Sequence, residues 1–146
     1  MPDHPVRTRR DAEALNETLE QLNSTIVDAA LAELPDSVAA MRAGCRALLT
    51  FCSGRAYRQI SVLDAPSVLG MEEWQRIDAA VGMATFSAAV DLLVADGQLA
   101  APPSRATLVL WFGSLTQSAL VLARGGDDAP TIDEMVEAVE AMILGR

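Results

Sequence analysis

Apolar residues recur at helical spacing along most of the chain. Leu15, Leu19, Leu22, Ile26 and Ala30 follow one another at intervals of three and four, which makes a single apolar stripe. The stripe predicts a helix from Arg10 to Leu34. Pro35 ends it, because the residue before a proline is pushed out of the helical region. Val38, Met41, Cys45, Leu48 and Cys52 form a second stripe of heptad spacing, with Asp36 or Ser37 as its N-cap and Gly54 as its terminator. A short helix is expected over Ala56 to Asp64, broken by Ala65-Pro66-Ser67. The longest pattern runs from Met71 to Asp96. Trp74, Ile77, Val81, Ala84 and Ala88 lie on one track, and Phe86, Val90 and Leu93 on a neighbouring one. Gly82 sits inside this helix, at a cost of about 1 kcal/mol relative to Ala, and marks a kink or the close approach of another helix. Gly97 ends the pattern.

Pro102-Pro103 opens the next helix, with Pro103 suited to its first turn. From Ser104 to Arg124 that helix is apolar nearly all round. Such a helix needs cover on most sides, and a partner subunit would supply what one small fold cannot. Gly125-Gly126 stops it. Thr131 and Glu134 match a capping box that starts a last helix. One face of that helix carries Ile132, Met135, Val136, Val139, Met142 and Ile143. Asp133, Glu134, Glu137 and Glu140 lie mainly off it. No strand alternation, internal repeat or low-complexity segment is present. The expected architecture is all-α, an antiparallel bundle of about six helices over residues 10–146, preceded by a disordered tail at 1–9.

Composition narrows the function. The chain has 146 residues, and 51% of them are hydrophobic but only 4% aromatic. One domain of this size buries a real core. All 11 basic residues are Arg, against 20 acids, for a net charge of −9. A body this acidic repels a phosphate backbone, so no nucleic-acid partner is expected for this chain alone. The uncharged stretch from Ala106 to Ala123 is interrupted by Thr107, Gly113, Ser114, Thr116, Gln117 and Ser118. It reads as a buried helix of a soluble protein rather than a membrane span. Met1 to Arg10 is polar and no apolar run of a secretory leader follows, so a cytoplasmic location is expected.

Candidate chemistry is sparse. His4 is the single histidine and lies in the expected tail, whereas a Ser–His or Cys–His nucleophile would need an ordered base. Metal-binding, phosphate-binding and dinucleotide motifs are absent. Glu72-Glu73 and Asp127-Asp128 are adjacent pairs of the kind that face solvent, and the first pair suits the opening turn of a helix. Cys45 and Cys52 are two turns apart on one helix, about 10.5 Å. A disulfide needs less than about 7 Å, so they do not bridge each other. The reading is a protein without enzyme activity, cofactor or metal.

Four segments carry a resemblance. Ile60 to Gly70, which ends in Leu63-Asp64-Ala65-Pro66-Ser67-Val68-Leu69-Gly70, resembles the stretch before the long central helix in one large subgroup of TetR-type transcriptional regulators. Gly70-Met71-Glu72-Glu73-Trp74-Gln75-Arg76-Ile77-Asp78 resembles the opening of that helix. Gly113 to Ala123 is similar to the family's penultimate helix, and Glu13 to Leu22 to the helix that links its DNA-binding and sensing domains. Only twelve residues precede that linking helix here, and they hold no helix-turn-helix pattern.

The resemblance implies a C-terminal sensing and dimerisation domain for a small apolar effector. It implies a pocket lined by Cys45, Leu49, Cys52, Tyr57, Trp74, Met83, Phe86 and Trp111, with Tyr57, Thr116 and Gln117 as polar anchors. It also implies a homodimer face made by Leu115, Ala119 and Leu122 with Met135, Val139 and Met142. A stand-alone partner that heterodimerises with full-length regulators is the alternative.

Overall fold

The computed structural model describes residues 5–55 and 71–146, and at 5–9, 11–12, 15, 71–75 and 77–81 only the course of the backbone. The described residues form five helices and no strand. These are α1 (Pro5–Leu31), α2 (Ser37–Cys52), α3 (Met71–Ala95), α4 (Arg105–Arg124) and α5 (Ile132–Leu144). The short helix expected over Ala56 to Asp64 lies outside the described residues.

Helix α1 departs from expectation at both ends. It opens at Pro5, inside the segment 1–9 expected as a tail. A proline in a first turn loses nothing there, since its missing N–H would have had no helical partner. It closes at Leu31, three residues early. The chain then tightens into three-residue turns, with Glu33 N–H donating to Ala30 O and Leu34 N–H to Leu31 O. These use up the backbone before Pro35.

The caps of the other helices follow from their sequences. Asp36 accepts from Ala39 N–H at 3.0 Å and starts α2. The end of α2 is a correction. Ser53, in the ordinary helical region, is its C-cap, and Gly54 has no positive φ. Gly97, with φ of 75°, ends α3 as expected. Ser104 caps α4 by accepting from Thr107 N–H at 3.1 Å, so Pro103 precedes the helix instead of opening it. Thr131 and Glu134 form the full capping box of α5. Thr131 N–H and hydroxyl hold the Glu134 carboxyl below its ordinary value.

The core lies where α2 meets its neighbours. Leu19 and Leu22 of α1, Met41, Cys45, Leu49 and Cys52 of α2, Leu93 of α3, Leu115 and Ala119 of α4, and four residues of α5 make one buried cluster. Leu49 and Leu93 are fully buried. Each such side chain contributes about 1.5–3 kcal/mol over its exposed state. Within α3 the buried track is Val90 and Leu93, while Ala84 and Ala88 are exposed. Phe86, on the same track as Val90 and Leu93, packs against the core.

Polar contacts fix how the helices sit against one another. Arg42 pairs with Glu140, and Arg46, one turn on, pairs with Asp133, two turns back along α5. Rising numbers on one helix meet falling numbers on the other, as two antiparallel helices require. Arg146 adds a second bond to Glu140 at 3.0 Å. Glu140 is therefore not a purely solvated residue, and bonds from Arg146 and Arg42 hold its carboxyl below the ordinary range. In the first turn of α2, buried Ser37 donates to Asp96 Oδ2 at 2.5 Å, which ties the start of α2 to the end of α3.

Candidate functional site

The side chains expected to line a pocket fall into two groups. Cys45, Leu49 and Cys52 lie on the inner stripe of α2 and are buried in the central core. Burial pushes the Cys45 thiol up to about 12, against a smaller opposing pull from Arg42. It stays protonated at any physiological pH and is a poor nucleophile. Met83, Phe86 and Trp111 are half-buried on α3 and α4, with Phe86 and Trp111 packed against the edge of that core. Tyr57 lies outside the described residues. Trp74 lies on α3, at a position where only the backbone is described.

Gly82 explains how α3 and α4 approach. A Cβ placed on it would meet the Phe112 ring at 2.7 and 2.9 Å. The missing side chain is thus the seat of Phe112, and the close approach read from the sequence is real. Phe86, one turn further along α3, stands 6.0 Å from Phe112 between ring centres, at 43°. This is within the range of favourable tilted pairs. On the third side, Thr85 donates its hydroxyl proton to Asn23 Oδ1 of α1. Both residues are half-buried. Three helices therefore converge on the single turn 82–86 of α3, with an apolar wall and one polar pair. Asn23, Thr85 and Phe112 were not among the sequence-derived candidates. The mid-helix Gly82 was the one local signal for the site. Of the expected anchors, Gln117 is exposed and Thr116 donates back to Gly113 O at 3.0 Å.

Two open hollows lie elsewhere on the described surface. One of about 700 Å³ runs between α1 and α2, floored by Ala29, Ala43 and Ala47 and edged by Arg42, Arg46 and Phe51. A smaller one lies along the outside of α1 beside Glu17, Gln21 and Thr25. None of the six described pocket candidates lines either hollow.

The expected dimer face also divides. Leu115, Ala119, Met135 and Val139 are buried within the single chain, so they are committed to its own core. Leu122 and Met142 are half-buried. The opposite side of α4 is exposed and apolar, with Leu110 70% exposed and Val109 49%; other exposed large apolar side chains are Leu92 on α3 and Leu31 and Leu34 at and beyond the end of α1. Gly113, Ser114 and Gln117 continue the outer face of α4. The single chain covers only part of this apolar helix, as expected for one small fold. Of its 20 residues only Leu115, Ala119 and Ala123 are buried. By length and composition alone α4 is also apolar enough to cross a membrane.

Among the described residues no cluster of His, Cys, Asp or Glu has the arrangement of a metal site. No curated protein and no solved structure matches the chain. A family model does. The tetracyclin repressor-like C-terminal domain matches residues 38–146, from the start of α2 to the end of the chain, while no helix-turn-helix family is found. That match covers most of the chain and contains the turn 82–86, the outer face of α4 and the ion-paired α2 and α5. The chain belongs to the tetracyclin repressor-like C-terminal domain family, a family of regulators and not of enzymes.

Proposed function

We propose that this chain is a sensing and dimerisation domain. It takes a small, largely apolar effector and pairs with a second copy through the outer face of α4. The observation that carries the dimer is the exposed, uncharged surface of Val109, Leu110, Gly113 and Ser114 on a chain of net charge −9. Two such chains repel one another at long range. They can touch favourably only where charge is absent and apolar area is open. The outer face of α5 is unsuited, because it presents Asp133, Glu134 and Glu137 to solvent. Small residues at 113 and 114 favour close approach of two helices.

The effector site proposed is the convergence of α1, α3 and α4 at the turn 82–86. Its apolar wall and few polar groups fit the general character of small-molecule pockets. Helix α1 packs along both α2 and α3, so a shift at this turn has a continuous path along α1. An effector acts there only through unequal affinity for two arrangements of the helices.

Sedimentation equilibrium tests the dimer. Wild type should sediment as a concentration-dependent dimer and Leu110→Glu as a folded monomer. A dimer that survives Leu110→Glu unchanged would remove the α4 face from the proposal. A chain that is monomeric alone but pairs with a full-length relative through the same face would favour the stand-alone partner reading.

A further inference from the structure

Three glycines lie inside the described helices, and the packing of the chain itself accounts for two of them. At Gly44 of α2 a Cβ would meet Ile26 and Ala30 of α1, at 3.5 and 3.8 Å. At Gly82 of α3 it would strike the Phe112 ring. Gly113 of α4 is different. A Cβ there would meet nothing within 4 Å, and its φ is not positive. Glycine weakens a helix interior, because it loses the most backbone freedom on folding. Among the described residues neither a packed neighbour nor a special backbone angle offsets that cost.

The surface around Gly113 is open and uncharged. Ala106, Val109, Leu110, Gly113, Ser114 and Gln117 recur at three and four, and all are exposed. Val109 and Leu110 stand out from this stripe as its large apolar side chains. Ser114 donates its hydroxyl back to Leu110 O at 2.9 Å, so it brings no unmet donor to a dry contact. Gly113 is the lowest point of the stripe and lies near the middle of the 20-residue helix. The distance between two packed helices depends on the side chains where they touch, and a glycine permits the closest approach. In a two-fold dimer, the residue on the axis meets its own counterpart.

From this we infer that two copies of the chain cross α4 on α4 at Gly113, backbone against backbone. The inference rests on the α4 dimer proposed above and adds what that face selects. It fits a helix that carries a glycine where the two cross, and a second copy of this chain supplies one. Val109 and Leu110 then close over the flanks of the other helix.

Sedimentation equilibrium of wild type, Gly113→Ala and Gly113→Leu tests the crossing, with Leu110→Glu as the monomer reference. Both Gly113 substitutions project into open space in the single chain, so both should fold. Gly113→Ala should act in opposite directions on fold and dimer. Added to Leu110→Glu, it should raise Tm by about 3 °C, since Ala is the better helix former. In the otherwise native chain it should weaken the dimer about ten-fold, because the new Cβ holds the two backbones apart. Gly113→Leu should give a folded monomer. An unchanged dimer constant in both Gly113 variants, with Leu110→Glu monomeric, overturns the crossing while the α4 face stands. A wild-type chain that stays monomeric overturns the face and the crossing together. Flotation of that monomer with phosphatidylcholine vesicles would then put a bilayer, and not a second copy, on α4.

Discussion

Helices α2 and α4 are both largely apolar, and the chain treats them in opposite ways. Helix α2 has 16 residues, of which seven are buried. It is covered by α1, α3, α4 and α5, and its polar flank is tied to α5 through Arg42 and Arg46. Helix α4 is longer and buries three residues. Its inner side joins the same core, and its outer side stays open. Apolar sequence thus has two meanings here. In α2 the apolar positions fall on one heptad stripe, so one chain can satisfy them. In α4 they run round the helix, so one chain cannot.

The difference can be broken at its strongest point first. Leu49→Ala, at the centre of α2, should cost about 2–5 kcal/mol in urea unfolding, since a fully buried side chain leaves a cavity. Leu110→Glu, on the open side of α4, should do almost nothing to the fold, within about 0.5 kcal/mol for a monomer. Its effect should appear in the concentration dependence of Tm. Wild type gains stability with concentration by mass action, and the variant should not. A large loss of monomer stability in Leu110→Glu would mean that α4 is covered within one chain after all.

Gly82→Ala sharpens the account of how α4 sits on α3. Ala is the better helix former by about 1 kcal/mol, yet its Cβ collides with the Phe112 ring at 2.7 Å. Overpacking of this kind costs about 1–3 kcal/mol, so the net change should be a loss of up to about 2 kcal/mol. With Phe112→Ala already in place, the same substitution should become stabilising. A stabilising Gly82→Ala in the wild-type background would mean the ring is not seated there.

The smallest expected effect concerns the ion pairs that flank α2. The Glu140 carboxyl is held below its ordinary value of 4.5 by Arg146 and Arg42. Its contribution to stability is fully present above that ordinary value. It is lost as pH falls through the lowered value in the folded chain. Glu140→Gln should therefore flatten the acid limb of the stability profile while costing under about 1 kcal/mol at neutral pH. An unchanged acid limb would show that the pair contributes nothing measurable.

Much of this fold could be read from spacing alone. The stripes of α1, α2 and α5 and the caps at Asp36, Gly97 and Thr131 depend on residues close in sequence, and local rules govern them. The site was less legible. Cys45, Leu49 and Cys52 fit a pocket on apolar character alone, but residues on the inner stripe of a central helix become its core. Asn23 and Thr85 gave no sequence signal, because they are 62 positions apart and meet only when α1 and α3 pack. The dimer face is hard to read for a related reason. Periodicity identifies which α4 and α5 positions share a face, but not whether the chain's own α2 or a second copy covers it. Leu115 and Leu110 look equally apolar in sequence, and packing sends one inward and the other out.

The central claim is that the open face of α4, and not the acidic face of α5, joins two copies. Single cysteines placed along each face test it most directly, since a disulfide forms only when Cα atoms approach within about 7 Å. The native Cys45 and Cys52 are buried and stay out of the way. Under mild oxidation, cysteines at Val109, Leu110, Gly113, Ser114 or Gln117 should include positions that trap a covalent dimer, and cysteines at Glu134, Glu137 or Ala138 should give none. Efficient trapping from α5 with none from α4 would contradict the account.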